Sequence, residues 1–384
     1  MSLHKLISAG ALIVSAIVAL PAAAQLNPAV PDPLARIRAA AAANTEACSV
    51  QETSACVQAT PKIIESALGP SPLDANLRRL TDEIGGRVTG TPQMARAAAW
   101  AVAAFRAAGV DNVHTEKFTV PAAWSEEKSR LEVLPPVGSM EGENVVAEIR
   151  GREKPDEFVL LGAHLDSWDL GAGVLDAGCN AALVIEAARV IHLTALRPRR
   201  SIRFVLFSGA EQGGLGSWAY VRAHRAELDR AVGALFFSWG SGRVTGFSLG
   251  GRSDIEPGVR ESLALLDSWN VNKHTGDARL GMDHLDFLLE GVPNLVANQD
   301  DSDYLANHHA ASDTYDKVDL ENLKRNAAVA GVLAFGLAEH AVPLGRRLSR
   351  AETETLLERT GLATEMTTLG LWRLWESRER GRLP

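Results

Sequence analysis

The chain has 384 residues, 46% of them hydrophobic and 22% charged, with a formal net charge of −8. That much apolar material suits one large or two modest cores and excludes a disordered or collagen-like chain. No run of lysine or arginine offsets the acidic balance, which argues against nucleic acid as a partner.

A short basic start (His4, Lys5) precedes an apolar run over residues 6–20, and Pro21 with Ala22, Ala23, Ala24 and Gln25 reads as a small-residue cleavage site. This pattern predicts a signal peptide over residues 1–24 and places the mature protein outside the cytoplasm, secreted or periplasmic. The run is shorter than the roughly 20 residues a membrane span needs, and no later stretch qualifies. Residues 25–71, rich in Ala, Pro, Ser and Thr, read as a lead-in in which only 35–43 has a clear helical composition. Cys48 and Cys56 flank a short loop there, and in an exported chain either a disulfide or two thiols is compatible with the spacing.

A main domain over residues 72–344 begins with an amphipathic helix from Asp74, a Gly-rich turn, and a second helix with Thr91 as N-cap, Pro92 as first residue and Gly109 as stop. Strands are predicted over 113–120, 129–134 and 144–149, with Pro135, Pro136 and Gly138 in a connection. From 157 the rhythm becomes strand then helix: strands over 158–163, 202–208, 231–238 and 293–298, helices over 181–193, 217–224, 257–269, 285–290 and 319–340. Such alternation predicts an α/β fold, an α/β/α sandwich with a mostly parallel central sheet. The tail, residues 345–384, carries a capped helix over 349–359 and an amphipathic stretch with Leu369, Leu371, Trp372, Leu374 and Trp375. At helical spacing these residues dock on the parent domain or a second subunit more often than on a ligand.

The chemistry gathers at strand ends. Phe158, Val159, Leu160 and Leu161 suit a strand buried on both faces, and His164 and Asp166 follow at its C-terminal end, where α/β folds place their sites. Alternation puts the two on one side, so the Asp166 carboxylate could take the proton of one imidazole nitrogen and leave the other for a metal. Asp176 closes a Gly-rich loop before a helix, where a carboxylate is favoured with or without a metal, so a local hydrogen-bond network stands beside the metal-site reading. Glu211 follows the next buried strand, and His309 lies in YLANHHAASDTYDKVD. Ends of parallel strands converge, and nitrogen and carboxylate ligands suit zinc. Cys179 reads as a packed small hydrophobe.

HLDSWD followed by Asp176, RFVLFSGAEQGGLGSWAY, GVPNLVANQDDSDY and HHAASDTYDKVD together resemble the M28 family of zinc exopeptidases over roughly residues 75–342. The resemblance implies a pair of zinc ions bridged by Asp176, cleavage of dipeptides or short peptides from an end, and self-association as a homodimer. It implies His164 and Asp176 at one zinc, with Asp166 orienting His164, and Asp176, Glu211 and His309 at the other. His309 is preferred over His308 because it stands four residues before Asp313. The resemblance also puts Tyr304 where a tyrosine could steady the developing oxyanion, and Asp283 with His284 in a loop near the substrate, as candidate contacts. The short connection between Leu134 and Asn144 leaves no room for the protease-associated insert of some members.

Against that pattern the chain departs. Where the family reads Ala-Glu-Glu-Gln-Gly, this sequence has Gly209, Ala210, Glu211, Gln212 and Gly213, which puts Ala210 at the general-base position. Where the family has Glu-Ser-Asp, it has Ser238, Trp239 and Gly240, so Gly240 stands at a zinc-ligand position, and Ala177 replaces an acid after the bridging Asp. These losses predict one zinc rather than two, and a chain that is either a weakened peptidase or a silent relative that binds peptide ends or metal or assembles with a partner.

Overall fold

The computed structural model describes residues 52–120, 140–281, 283–301 and 303–384. The leader, the helix expected over 35–43, Cys48 and the strand expected over 129–134 lie outside them. Twelve α-helices are numbered among the described residues: α1 (Glu52–Leu68), α2 (Leu73–Arg78), α3 (Pro92–Ala107), α4 (Cys179–Leu193), α5 (Leu215–Ala223), α6 (Glu256–Leu263), α7 (His284–Leu289), α8 (Tyr304–Asn307), α9 (Leu320–Glu339), α10 (Arg350–Arg359), α11 (Leu362–Thr368) and α12 (Trp372–Glu376). The strands are β1 (Asp111–Val120), β2 (Met140–Ile149), β3 (Lys154–His164), β4 (Arg200–Phe207), β5 (Ala231–Phe236), β6 (Val244–Ser248) and β7 (Asn294–Gln299).

These strands form one sheet in the order β1-β2-β4-β3-β5-β7-β6. Its centre, β4-β3-β5-β7, is parallel, and β1, β2 and β6 join antiparallel at the two sides. Phe207 lies opposite His164, Phe236 opposite Gly162 and Val296 opposite Phe236, so the parallel strands end nearly level. Their following loops therefore open from one edge.

On one face α1, α4 and α9 pack together over the sheet, and small residues such as Ala181, Ala187, Ala327, Ala330 and Ala334 let the helices approach closely. On the other, Tyr220 of α5 and Phe287 of α7 close over Phe207 and Phe236. Each fully buried Leu, Ile, Val or Phe contributes about 1.5–3 kcal/mol, which makes these two layers the main source of stability. At α3 the N-terminal signals act as expected: the Thr91 side chain accepts from the Met94 amide, and Gly109 takes φ 80° just past the end. Helix α1, by contrast, does not stand out in the sequence because Pro61 lies inside it, yet its face of Ala59, Ile63, Ile64 and Ala67 is buried. Asp283 and His284 are also buried, at 1% and 4% exposure, with the His284 ring bonded to the Arg279 carbonyl rather than presented to a substrate. No helix among the described residues is long and apolar enough to cross a membrane.

The tail docks on its own domain. Trp375 is buried against Leu285, Leu288 and Leu289, and the Arg350 guanidinium lies 3.8 Å over its ring. Arg380 then reaches the loop after β4: it donates to Asp286 Oδ1 at 2.6 Å, to Asp286 Oδ2 at 2.8 Å and to the Gly213 carbonyl at 3.0 Å. Both partners of this pair are buried, so removing one strands a charge. Arg380→Ala is expected to cost about 3–5 kcal/mol in urea unfolding; a loss below about 1 kcal/mol would mean that Ser217, which also donates to Asp286, suffices on its own.

Candidate metal centre

His164, at the end of β3, is fully buried. Its Nδ1 lies 3.1 Å from the main-chain carbonyl of Asp166, while the Asp166 carboxylate is 3.7 Å away. The hydrogen bond is thus to the Asp166 backbone, with the side chain that alternation pointed to standing just beyond it. The carboxylate instead accepts the amides of Ala210 and Glu211, each at 3.2 Å, and so fixes the loop that delivers Glu211. Burial alone would lower the His164 pKa, but Asp166 and Asp176 together lift it well above the ordinary histidine value.

Asp176 sits at the centre of the cluster on a loop that two other residues hold. The Asp313 carboxylate accepts the amides of Leu175 at 2.7 Å and Asp176 at 3.2 Å. Arg87, wholly buried, donates to the carbonyls of Leu165, Ala172 and Gly173, the last two at 2.9 and 2.7 Å. Burial lowers the Arg87 pKa to about 10, still far above neutrality. The sequence offered only weak signals for either residue: an arginine in the turn GGRVTG, and an aspartate known by its spacing from His309.

Around Asp176 the side chains converge. His164 Nε2 is 3.5 Å from Asp176 Oδ1, and His309 Nε2 is 3.2 Å from Asp176 Oδ2 and 3.0 Å from Glu211 Oε2. His308, not singled out by the sequence, also arrives, with Nε2 3.3 Å from Asp176 Oδ2. Tyr304 Oη donates to Asp176 Oδ1 at 3.1 Å, which places its hydroxyl at the cluster.

Gly240 has φ 66°, and a Cβ there would lie 3.3 Å from Cβ and Cδ2 of Tyr304. The tyrosine, stacked on Trp239, thus occupies the space beside the missing carboxylate. Ala210 is 6% exposed and Cys179 is buried, its thiol pKa raised well above the usual value by burial.

The donor set fits a cation. His164 Nε2, Asp176 Oδ2 and Glu211 Oε1 are buried atoms without hydrogen-bond partners, and one ligand atom from each of these three residues lies within 4.8 Å of the others. Buried polar groups are otherwise almost always satisfied. Burial first, then the Asp176 and Asp166 charges acting against His164, push Glu211 to about 8. For Asp176, burial is outweighed by His164, His308 and His309, which bring it to about 2. A narrow cleft lined by Trp168, Gly171, Asp176, His309 and Asp313 leads to the cluster.

The chain is similar to proteins of one family. Residues 144–334 match the model of Peptidase family M28. Carboxypeptidase Q of Rattus norvegicus is 35% identical over 196 residues, covering 51% of this chain and 41% of that protein, so the chain spans about two fifths of the length of the curated relatives it matches. Among solved structures, the Peptidase M28 precursor from Shewanella amazonensis SB2B superposes with TM-score 0.68 at 22% identity, over 75% of this chain and 98% of that one. A zinc aminopeptidase from Bacillus subtilis follows with TM-score 0.58 at 14% identity, over 76% of this chain and 99% of that one. At these identities the two structures establish the shared fold, with its seven-stranded mixed sheet.

Proposed function

We propose that this chain, which belongs to peptidase family M28, is an exported single-zinc homologue of carboxypeptidase Q that engages the ends of short peptides and has lost most of its hydrolytic power. The observation that carries the reading is the approach of His309 Nε2 to Glu211 Oε2 at 3.0 Å and to Asp176 Oδ2 at 3.2 Å, beside a position where Ala210 offers only a methyl group. Zinc held by these three residues would polarise a peptide carbonyl and acidify water. Asp166 keeps the Glu211 loop in place through two backbone amides, and Tyr304 donates to the other oxygen of Asp176, which His164 Nε2 faces at 3.5 Å. With Ala210 at the base position, no carboxylate stands there to take a proton, a loss that typically costs about 10²- to 10⁴-fold in rate. Gly240 leaves the second metal position with His164 and a shared Asp176, fewer donors than zinc prefers.

The test is elemental analysis of the zinc-equilibrated mature protein together with a dipeptide hydrolysis assay, run with and without a chelator. About one zinc per chain and hydrolysis at least roughly 100-fold below a two-zinc relative is the expected result. Two zinc ions per chain, or cleavage at the relative's rate, would overturn it.

A further inference from the structure

The loop that delivers Glu211 runs into two glycines. Gly213 and Gly214 take φ 95° and 74°, backbone that other residues rarely adopt, and glycine has the most conformational freedom to lose on folding. On its near side the loop is fixed by the Asp166 carboxylate, which accepts the amides of Ala210 and Glu211. Gln212 adds no hold, since its side-chain Oε1 and Nε2 are buried without a hydrogen-bond partner. The far side is held by the tail. Arg380 donates through Nη1 to the Gly213 carbonyl at 3.0 Å, while Nε and Nη2 grip the two oxygens of Asp286 at 2.6 and 2.8 Å. The amides of Gly213 and Gly214 turn back to the Ala210 carbonyl, so any displacement of Gly213 is passed to Glu211.

The guanidinium is itself placed. Trp218 Nε1 donates to the Glu379 carbonyl at 3.2 Å and Arg225 to the Gly381 carbonyl at 3.1 Å, which ties the chain on both sides of Arg380 to α5 and the residues after it. A Cβ at Gly214 would lie 2.8 Å from Arg380 Nη2, so the second glycine also makes room for the arginine. The Arg380 and Asp286 side chains are 5% and 0% exposed. Apolar residues of similar volume often stabilise a fold as well as a buried ion pair does, so stability alone does not account for this one. What apolar residues cannot do is hold a carbonyl. A planar guanidinium with five donors can hold a carboxylate and a carbonyl together.

We propose that Arg380 is a positioning residue of the metal centre, fixing the Gly213 carbonyl and, through the turn, keeping Glu211 directed at Asp176 and His309. This role rests on the single-zinc reading above, with Glu211 as a ligand. It makes the tail, which lies beyond the residues 144–334 that match family M28, a working part of the site.

Arg380→Met combined with Asp286→Leu removes the grip on Gly213 without stranding a charge, and Ser217, which loses Asp286, still donates to the Gly214 carbonyl. In the full mature chain this pair is expected to weaken zinc about 10- to 100-fold in competition with a chelator, the usual effect of losing a residue that orients a metal ligand. The metal-free protein should exchange the Gly213 and Gly214 amide hydrogens faster at an unchanged melting temperature, whereas a purely structural Arg380 would move the melt and leave the zinc affinity of the folded protein alone. Arg380→Lys keeps Asp286 paired but lacks the fork, so it should weaken zinc at least about 10-fold even if the apolar pair does not fold. Arg382→Ala, which removes a tail side chain that donates to the Leu348 carbonyl instead, should bind zinc as the parent does. Parental zinc affinity in the Arg380 variants, or an equal loss in Arg382→Ala, overturns the proposal and leaves the single-zinc reading standing. A parent that binds no zinc overturns that reading and this role with it.

Discussion

Replacing Asp176 with alanine is expected to remove measurable zinc binding, with affinity falling at least about 1000-fold relative to the parent. The size follows from position. One carboxylate serves two sides: Oδ1 accepts from Tyr304 and faces His164 Nε2, and Oδ2 faces His308 and His309. No neighbour can take over, because the next residue is Ala177 and the nearby thiol of Cys179 is buried with its pKa pushed up, which keeps it protonated. The site cannot slide along the chain either, since Asp313 holds the Leu175 and Asp176 amides and Arg87 holds the carbonyls before them. Competition with a chelator measures the affinity, and elemental analysis measures the stoichiometry. Asp176→Asn, which keeps the shape and loses the charge, should fall nearly as far, whereas Cys179→Ser should bind as the parent does. Zinc retained at parental affinity by Asp176→Ala would place the ion elsewhere and remove the basis for the functional reading.

What could be read from the sequence is what leaves a side-chain signature. His164, Asp166, Asp176, Glu211 and His309 stand at or beyond the ends of buried parallel strands, where polar residues break an apolar run, and the structure brings all five together. Arg87 and Asp313 act on backbone carbonyls and amides, which any sequence supplies, so their role emerges only once the loop is folded around them. His308 is hidden for another reason. Adjacent histidines ordinarily point apart, and the left-handed turn at His309 that reunites them carries no compositional mark, since the residue is not glycine. In the fold, strand β6 escapes notice because Gly246 interrupts its alternation and it pairs antiparallel at the sheet edge. Of the tail stripe, Leu371, Trp372 and Trp375 pack where their spacing suggested, whereas Leu369 stays 63% exposed.

Ala210→Glu is expected to raise dipeptide hydrolysis about 10²- to 10⁴-fold over the parent, the gain that a positioned base supplies. The loop is already built for it. The Ala210 amide is tied to Asp166 Oδ1 and the Glu211 amide to Oδ2, so a longer side chain at 210 starts from a backbone that Asp166 holds still. Gly240→Asp alone should add neither rate nor a second zinc. Its Cβ would stand 3.3 Å from the Tyr304 ring at φ 66°, so the new carboxylate must displace an aromatic side chain stacked on Trp239. Aspartate tolerates the left-handed backbone better than most residues, which makes the tyrosine the main obstacle. Michaelis profiles for the parent and the two variants decide the matter: a rise in kcat confined to Ala210→Glu is the expected pattern. A gain from Gly240→Asp equal to that from Ala210→Glu would mean that the missing ligand, and not the missing base, limits the chemistry of this site.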